Sequence, residues 1–451
     1  MEKFIVTGGI KLKGEVHVSG AKNAALKTLI AACLTDEEVI IKNIPLISDF
    51  HNMIEIIKNI GGEAQILDHS VRIRVKKIKN YRLSLDTAAR IRTSFMFIVP
   101  LLLRTGHAII PNPGGCRLGA RPVERCLDGL RKMGADIAYN RKDGFFYAKT
   151  RHLKGVTYTF KKNTHTGTET MLLAAVLAHG KTILKNAAEE PEVDELIGFL
   201  NSMGAVIKRT KKREIEINGV KNLHSTAYAI GHDRNEIVTF AIAALITQGD
   251  IFVKGAKKEY LKEFIDKLVL AGGGVEEKKG GLRFYYHKEL KAMDIKTLPH
   301  PGFMTDWQAP WGVLMTQAIG ECLIHETVFE NKLGYVKELQ KMGANALLFN
   351  PKISNPEEVY NFNLSDDDPK FFHAVKIKGP TKLHNAVVTM QDIRAGAAVL
   401  LAALAAKGIS TIYDIEKLDR GYEVFEERLK KLGANIIRVS VEKQYETKNV
   451  C

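Results

Sequence analysis

A short glycine signature that recurs six times constrains the fold more than any other feature of this sequence. Each copy has a hydrophobic residue, then glycine, then glycine or alanine, and the first glycines are Gly61, Gly134, Gly204, Gly272, Gly343 and Gly433. Consecutive copies are 73, 70, 68, 71 and 90 residues apart. Self-similarity at a fixed period of this length is typical of a chain built from repeated supersecondary units.

A second element repeats in phase with the first. An Ala/Leu-rich helical segment, a polar turn and a β-branched strand occupy residues 171–186, 240–255 and 399–414. Gly180, Gly249, Gly320 and Gly408 mark the turn, where the end of a helix needs a positive φ. Each unit is therefore predicted to hold two helices and several strands. About 70 residues enclose a poor core alone, so we expect two domains of three units each.

The last interval is some 20 residues longer than the others. Its extra residues fit the polar, acidic segment at residues 350–370. We expect a surface insertion there rather than a functional lid.

The composition places the chain among ordinary globular proteins. Its 451 residues predict two or three domains, and 45% hydrophobic with 26% charged residues is close to the globular average. The apolar runs are shorter than the roughly 18 residues of a membrane span, so no membrane insertion is predicted. The first residues, MEKFIVTGG, lack the layout of a secretory signal, and a cytoplasmic location is expected.

Charge and cysteine content narrow the function classes further. The 66 Lys and Arg residues exceed the 51 Asp and Glu residues by 15, as in many nucleic-acid-binding proteins. The basic runs are short and scattered, however, so a lysine-rich solvated surface explains the charge equally well. Five cysteines without a CxxC pair predict neither a disulfide framework nor a metal site.

The most reactive candidate is Cys116, in the loop PNPGGCRLGARPVE at residues 111–124. Glycines let a loop open and close over a ligand, and Arg117 and Arg121 would favour the thiolate. The alternative is an ordinary glycine-rich connection that happens to contain a cysteine.

Two further candidates lie where loops meet helices. Lys22 and Asn23 stand at a strand-to-helix junction, where an ammonium and helix amides suit an anion, although such lysines are often simply solvated. Asp306 lies on a loop constrained by Pro and Gly before a helix. Its carboxylate could act as a general base or only cap that helix.

Three arginines stand in or beside apolar segments, where an unpaired guanidinium is costly. They are Arg92, Arg394 and Arg420. Internal salt bridges, with Asp392 and Asp419 as partners, would explain them. A shared polyanionic ligand would explain them equally, because guanidinium groups match phosphate and carboxylate oxygens.

Together these segments resemble the enolpyruvyl transferase family, over nearly the whole chain apart from residues 350–370 and the tail. The matching segments are KLKGEVHVSGAKNAAL, PGGCRLGARPVE, KNAAEEPEV, HPGFMTDWQA, ETVFEN, DIRAGA and LDRGYE. The resemblance implies a two-domain, inside-out α/β barrel of six βαβαββ repeats. Residues 22–231 would form the domain with the Cys116 loop, and residues 1–21 with 232–451 the other.

The resemblance also implies a reaction without cofactor or metal. The enolpyruvyl group of phosphoenolpyruvate would move to the 3′-hydroxyl of UDP-N-acetylglucosamine, with release of phosphate. Cys116 would protonate or capture phosphoenolpyruvate, Asp306 would take the hydroxyl proton, and Lys22 would help to hold the anion. The implied substrate-binding residues are Asn23, Arg92, Arg121, Pro122, Val123, Asn163, Gly167, Val328, Arg394 and Arg420.

The sequence departs from the family pattern at a few positions around this site. They are Met304, Lys332, residues 124–126 and residues 163–166. Since several of them belong to the nucleotide-binding segments, a different sugar nucleotide as acceptor is the alternative. A basic nucleic-acid-binding protein on the same fold is the alternative from another class.

Overall fold

The computed structural model describes residues 2–114 and 123–440, and Cys116 lies outside them. The strands of the described residues are β1 (Glu2–Thr7), β2 (Lys13–His17), β3 (Glu38–Lys42), β4 (Glu63–Leu67), β5 (Ser70–Arg74), β6 (His107–Pro111), β7 (Asp136–Asn140), β8 (Phe145–Lys149), β9 (Thr157–Thr159), β10 (Lys181–Lys185), β11 (Val206–Lys211), β12 (Glu214–Asn218), β13 (Thr226–Ala229), β14 (Asp250–Lys254), β15 (Gly274–Lys278), β16 (Gly281–Tyr285), β17 (Ile295–Lys296), β18 (Gly320–His325), β19 (Asn345–Phe349), β20 (Ala374–Gly379), β21 (Val387–Thr389), β22 (Ile409–Tyr413) and β23 (Asn435–Ser440).

Helices alternate with these strands. They are α1 (Lys22–Ala32), α2 (Ser48–Asn59), α3 (Leu85–Ala88), α4 (Ile98–Thr105), α5 (Glu124–Lys132), α6 (His165–Ala175), α7 (Pro191–Ser202), α8 (Arg234–Ile246), α9 (Lys262–Leu270), α10 (Gln308–Thr316), α11 (Tyr335–Lys341), α12 (Pro356–Val359), α13 (Ile393–Ala405), α14 (Glu416–Asp419) and α15 (Phe425–Lys431), with 3-10 helices at Arg92–Phe97, Lys258–Leu261, Thr305–Trp307 and Leu364–Asp366. Within the described ranges, none of these helices has the length and apolar character needed to cross a membrane.

The described strands form six small sheets of one pattern. In the sheet β11–β12–β10–β9, β9 pairs in parallel with β10, and β12 pairs antiparallel with β10 and with β11. Residues 157–218 thus run β9, α6, β10, α7, β11, β12, which is one complete βαβαββ unit. The sheet β6–β8–β7 has three strands, and a parallel bridge between Arg82 and Ile109 takes the place of its fourth. The predicted six-repeat α/β fold is confirmed.

Three of the six sheets take one strand from a distant part of the chain. β13 pairs in parallel with β3, β2 with β14, and β1 lies between β22 and β23. The two segments that make these crossings run side by side, since Gly20 bridges His232 and the Ala21 amide donates to the Gly231 carbonyl.

The buried apolar side chains of the described residues form two clusters. One comprises residues between Ala21 and Ile230, and the other comprises residues 4–18 together with residues 237–436. We call these bodies the first and second lobes. Helices α8, α10 and α13 are buried on nearly all sides and pack against one another inside the second lobe. Their Ala- and Leu-rich sequences suit such enclosure because they carry few side chains that need water.

The repeated glycines have a conformational cause. All six signature glycines follow a helix and have φ between +89° and +102°. Gly180, Gly320 and Gly408 also have positive φ, but for Gly249 the prediction is wrong, because Gln248 takes the left-handed conformation there. A Cβ atom on Gly249 would lie 1.9 Å from the Leu12 carbonyl oxygen. Glycine is needed at that position for close packing.

One hairpin differs from its counterparts. Two residues join β4 to β5, β11 to β12 and β15 to β16, and four join β7 to β8. Between β19 and β20 there are 24 residues, 350–373, which include α12 and the 3-10 helix at Leu364–Asp366. The extra residues of the longest repeat interval therefore lie in this connection.

Candidate functional site

A cavity of about 350 Å³ lies between the lobes, and residues of both form its wall. The N-terminal turns of α1, α6 and α13 open onto it, as do the 3-10 helices at Arg92–Phe97 and Thr305–Trp307. Each helix N-terminus presents the positive end of the helix dipole, although side chains already accept from amides of all three α-helices. Their convergence suits a negatively charged ligand.

Lys22 opens α1 on one side of this cavity and is buried, with 7% of its surface exposed. Its Nζ atom lies 2.7 Å from Oδ2 of Asp49, and Nε of Arg420 lies 2.9 Å from Oδ1 of the same carboxylate. Lys22 and Asp49 belong to the first lobe and Arg420 to the second. The Arg420–Asp49 pair therefore joins the lobes, and because Lys22 is buried and paired with the same carboxylate, the alternative of a solvated Lys22 is wrong.

The electrostatic environment weakens proton binding by Lys22. Burial lowers the pKa of its ammonium group, and the positive charges of Arg420 and Arg394 lower it further, although Asp49 opposes them. An anion bound beside Lys22 would favour its charged form. The group is thus arranged to bind a ligand that carries negative charge.

Asp306 lies in the 3-10 helix at Thr305–Trp307, on the second-lobe side of the cavity. Oδ1 of Asp306 lies 2.6 Å from Nζ of Lys332, and Oδ2 lies 3.5 Å from Nε of Arg394. Helix α10 begins after Trp307 without a side-chain cap. The capping alternative for Asp306 is therefore wrong, and its carboxylate faces the cavity between two cations.

The predicted partners of the arginines are also wrong. Asp392 caps α13 by accepting from the amides of Arg394 and Ala395, and Asp419 pairs with Arg438. Arg394 instead stands over the ring of Tyr422 and beside Asp306. Within the described residues, its buried Nη1 atom has no hydrogen-bond acceptor. A buried guanidinium nitrogen of this kind is costly unless a ligand satisfies it.

Seven of the ten predicted substrate-binding residues lie in the cavity wall. Those in the cavity wall are Asn23, Arg92, Val123, Asn163, Val328, Arg394 and Arg420. Gly167 lies in the first turn of α6, where its amide donates to Oγ1 of Thr164. Cys116, Arg121 and Pro122 lie outside the described residues. Val123, the first described residue after them, lines the cavity.

Three cysteines lie within the described residues, and all are buried. Burial raises the pKa of the thiols of Cys33 and Cys322 to about 12 and that of Cys126 to about 11. Cys126 also lines the cavity, but as a neutral thiol it is a poor nucleophile near neutral pH.

Several cavity residues had not been predicted. They are Asp49, Glu190, His300 and Asn361–Asn363, whereas Arg125 and His165 belong to the two divergent segments expected around the site. The sequence signal of Asp49 is weak, because an acidic residue in the first turn of a helix usually needs no explanation beyond the helix dipole. Asn361–Asn363 belong to the long β19–β20 connection, so the expectation of an insertion confined to the surface is wrong.

Comparison with known proteins agrees with this geometry. The family model "EPSP synthase (3-phosphoshikimate 1-carboxyvinyltransferase)" matches residues 6–429. A protein of Magnetococcus marinus named UDP-N-acetylglucosamine 1-carboxyvinyltransferase is 41% identical over 441 residues, which cover 97% of this chain and all of that protein. UDP-N-acetylglucosamine 1-carboxyvinyltransferase 3 of Caldanaerobacter subterraneus is 39% identical over 439 residues, with 97% and 100% covered.

The chain belongs to the enolpyruvyl transferase family. Solved enolpyruvyl transferases share its fold. The enzyme NikO from Streptomyces tendae superposes with a TM-score of 0.85 at 23% identity, covering 98% of this chain and 99% of NikO. EPSP synthase from Acinetobacter baumannii superposes with a TM-score of 0.71 at 17% identity, covering 98% of this chain and 100% of its own.

The charge of this enolpyruvyl transferase site comes from side chains. Among the described residues, no group of three or more His, Cys, Asp and Glu side chains could hold a metal ion. Lys22, Lys332, Arg394 and Arg420 instead surround the carboxylates of Asp49 and Asp306.

Proposed function

We propose that this enzyme transfers the enolpyruvyl group of phosphoenolpyruvate to the 3′-hydroxyl of UDP-N-acetylglucosamine and releases phosphate. The observation that carries the proposal is the meeting of Lys22, Arg394, Arg420 and Asp306 in one cavity between the lobes. The names of full-length relatives about 40% identical support the choice of substrates.

A division into two domains would suit this reaction. We propose that residues 22–231 form one domain and that residues 1–21 with 232–451 form the other. The separate apolar clusters and the pairing of β1 and β2 with second-lobe strands support that division. The substrates would then bind where two bodies meet, and closure would exclude water from the reacting groups.

Phosphoenolpyruvate carries a phosphate and a carboxylate close together, so its site needs several fixed cations. In the proposal Lys22, Arg394 and Arg420 hold these groups with Arg121. The Nη1 atom of Arg394, which has no acceptor among the described residues, supports this role, because an oxyanion would satisfy it. Cations that are already in place stabilise developing charge without reorganisation during the reaction.

Asp306 would accept the proton of the acceptor hydroxyl as its oxygen attacks C2 of phosphoenolpyruvate. Lys332 and Arg394 would fix the carboxylate during this step, which their distances of 2.6 and 3.5 Å support. A proton must reach C3 at the same time, and Cys116 would supply it. If its sulfur first binds C2, the thiol proton goes to C3, and the thiolate leaves again before the hydroxyl oxygen bonds to C2. Loss of a C3 proton and of phosphate then restores the double bond on the new ether.

This reaction is the first committed step of peptidoglycan synthesis, and we propose a cytoplasmic location on that basis. The alternative acceptor, another sugar nucleotide, is favoured by one observation. Arg125 and Asn163, at which the sequence departs from the family pattern, both line the cavity.

A phosphate-release assay with phosphoenolpyruvate tests the proposal. We expect release that depends on UDP-N-acetylglucosamine, with formation of its 3′-enolpyruvyl ether. Release with only a different sugar nucleotide would support the alternative acceptor. Nucleic-acid binding that weakens steeply with salt, without phosphate release, would contradict both.

A further inference from the structure

The long β19–β20 connection has a small core of its own. Tyr360 and Phe362 stack with ring centroids 4.7 Å apart, and His373 lies 5.0 Å and 5.2 Å from these rings. The backbone N–H of Asn361 donates to the Thr327 carbonyl, and this hydrogen bond fixes the small core to the second lobe. Residues 350–373, which we call the strap, thus form an ordered element.

From this base the strap reaches across the cleft to the first lobe. Nη2 of Arg125 donates to the Asn361 carbonyl at 2.8 Å and to Oδ1 of Asn363 at 2.9 Å. Nδ2 of Asn361 donates to the Asn163 carbonyl at 3.0 Å, and Nζ of Lys162 donates to the Tyr360 carbonyl at 2.9 Å. The strap therefore holds two first-lobe segments, around residues 125 and 163.

These contacts lie at the substrate cavity. Asn361, Phe362 and Asn363 form part of its wall, next to Arg125 and Asn163. The strap's hydrogen-bond acceptors on Arg125 are neutral oxygens, which orient the guanidinium, while the carboxylates of Glu330 and Asp366 interact with it electrostatically. An oriented cation in a cavity wall suits the diphosphate of a nucleotide.

The location agrees with the sequence departures. Arg125 and Asn163 belong to the two segments, 124–126 and 163–166, in which this chain differs from the family pattern. The strap itself is longer by 20 residues or more than the equivalent turns of four other repeats. The hydrogen bonds of the strap with Arg125 and Asn163 thus connect the unusually long hairpin with both divergent segments.

We propose that the strap is a specificity element that orients Arg125 and Asn163 and completes the acceptor-binding wall. This inference rests on the proposed function for the identity of the acceptor. Phosphoenolpyruvate would depend on the strap much less, because the Arg420–Asp49 pair joins the lobes independently.

The main test replaces residues 350–373 by Asn-Gly. Phe349 and Ala374 are directly paired, as are Leu67 and Ser70 around a two-residue turn, so a short hairpin can close there. We expect the Kd of UDP-N-acetylglucosamine, measured by calorimetry, to rise at least tenfold. The kcat and the KM of phosphoenolpyruvate, measured at saturating acceptor, should change less than threefold.

A point variant guards against misfolding of the shortened chain. In N363A we expect a three- to tenfold rise in the acceptor Kd with the same kinetic pattern. N355A is the matched control, because Asn355 is exposed and its side chain contacts Glu358 within the strap. An acceptor Kd within twofold of wild type in N363A and the shortened chain would overturn the proposal, as would equal effects of N363A and N355A.

A ligand-free measurement separates this inference from the proposed function. If the wild-type enzyme binds no UDP-N-acetylglucosamine, the proposed acceptor is wrong, and amide hydrogen exchange without ligand then tests the strap by itself. Faster exchange of the segments around residues 125 and 163 in the shortened chain would support a strap that holds them. Unchanged exchange of both segments would overturn it.

Discussion

Nζ of Lys332 lies 2.6 Å from Oδ1 of Asp306, and only 4% of Lys332 is exposed. The buried ammonium group of Lys332 binds one oxygen of the Asp306 carboxylate, and this contact fixes the orientation in which the carboxylate can accept a proton. Because Lys332 and Asp306 both line the cavity, removal of the Lys332 ammonium group should lower the reaction rate more than the stability of the fold.

The first prediction concerns this pair. In K332M we expect kcat to fall about 10–100-fold, because Asp306 loses a positioning contact. K332R should recover part of the rate, since a guanidinium can still reach the carboxylate. Phosphate release measures kcat, and thermal unfolding of each variant is the control. A normal rate in K332M would exclude Lys332 from the positioning of Asp306.

The second prediction concerns Asp306 itself. D306N keeps the size of the side chain but cannot accept the hydroxyl proton, so kcat should fall about 10²–10⁴-fold. Binding of the acceptor, followed by calorimetry, should change much less. If D306N turned over at more than a tenth of the wild-type rate, Asp306 would not be the base.

The third prediction concerns Cys116. We expect C116A to abolish phosphate release and any covalent adduct with phosphoenolpyruvate, and we expect fosfomycin, an epoxide, to inactivate the wild-type enzyme. C322A is the matched control because Cys322 is a core residue whose thiol donates to the Met293 carbonyl. Full activity in C116A, or loss of activity in C322A alone, would contradict the proposed role.

The fourth prediction is a pH dependence. Lys22 must be protonated to bind an anion, so kcat/KM for phosphoenolpyruvate should fall as pH rises through its pKa. Burial lowers that pKa, and therefore kcat/KM should begin to fall at a pH below the pKa range of an ordinary lysine. Asp49 raises the pKa, so D49N should move the fall to lower pH. K22R should remove it, since guanidinium stays charged.

The pH profile of D49N decides between two roles of Asp49. A profile displaced to lower pH, with the fold retained in circular dichroism, is the expected result. A profile displaced to higher pH, or one identical with wild type, would show that Asp49 does not act on Lys22.

The fifth prediction concerns stability. Arg234 and Glu192 form a buried two-bond ion pair between the lobes, at 2.9 and 2.8 Å. Burial alone would raise the pKa of Glu192, but Arg234 outweighs it and lowers the pKa to about 2. The pair therefore stabilises the fold above the ordinary glutamate pKa, and this contribution is lost as pH falls towards 2.

Substitutions at Glu192 and Arg234 should show how much this ion pair contributes to the free energy of unfolding. E192Q leaves the guanidinium of Arg234 buried without its counter-charge, so the free energy of unfolding should drop by about 3–5 kcal/mol at pH 7. The double variant E192L/R234M should recover much of that loss, because apolar side chains of similar size can replace a buried pair. Urea denaturation of the single and double variants measures both.

The fold was predictable because the repeat is periodic. Six glycines with positive φ end six equivalent helices, and this backbone requirement leaves a direct trace in the sequence. The division into residues 22–231 and residues 1–21 with 232–451 stays a prediction.

The site was predictable only where a side chain looked out of place locally. Lys22, Asp306 and Arg394 stand in motifs whose composition singles them out. Asp49 looks like an ordinary helix residue, and Arg125 stood out only as a departure from the family pattern; their contacts are with partners 371 and 236 residues away in the chain. Contacts between such distant residues leave no local pattern, which also explains why the strap looked like a surface insertion.

The position of β1 has a consequence for synthesis on the ribosome. β1 is made before the other strands of the described residues, yet its partners β22 and β23 comprise residues 409–413 and 435–440. The first lobe has all of its described core residues once Ile230 has emerged, whereas the sheet that contains β1 cannot close until Ser440 has emerged. A nascent chain would thus carry a completed lobe between an unpaired leading strand and the growing end.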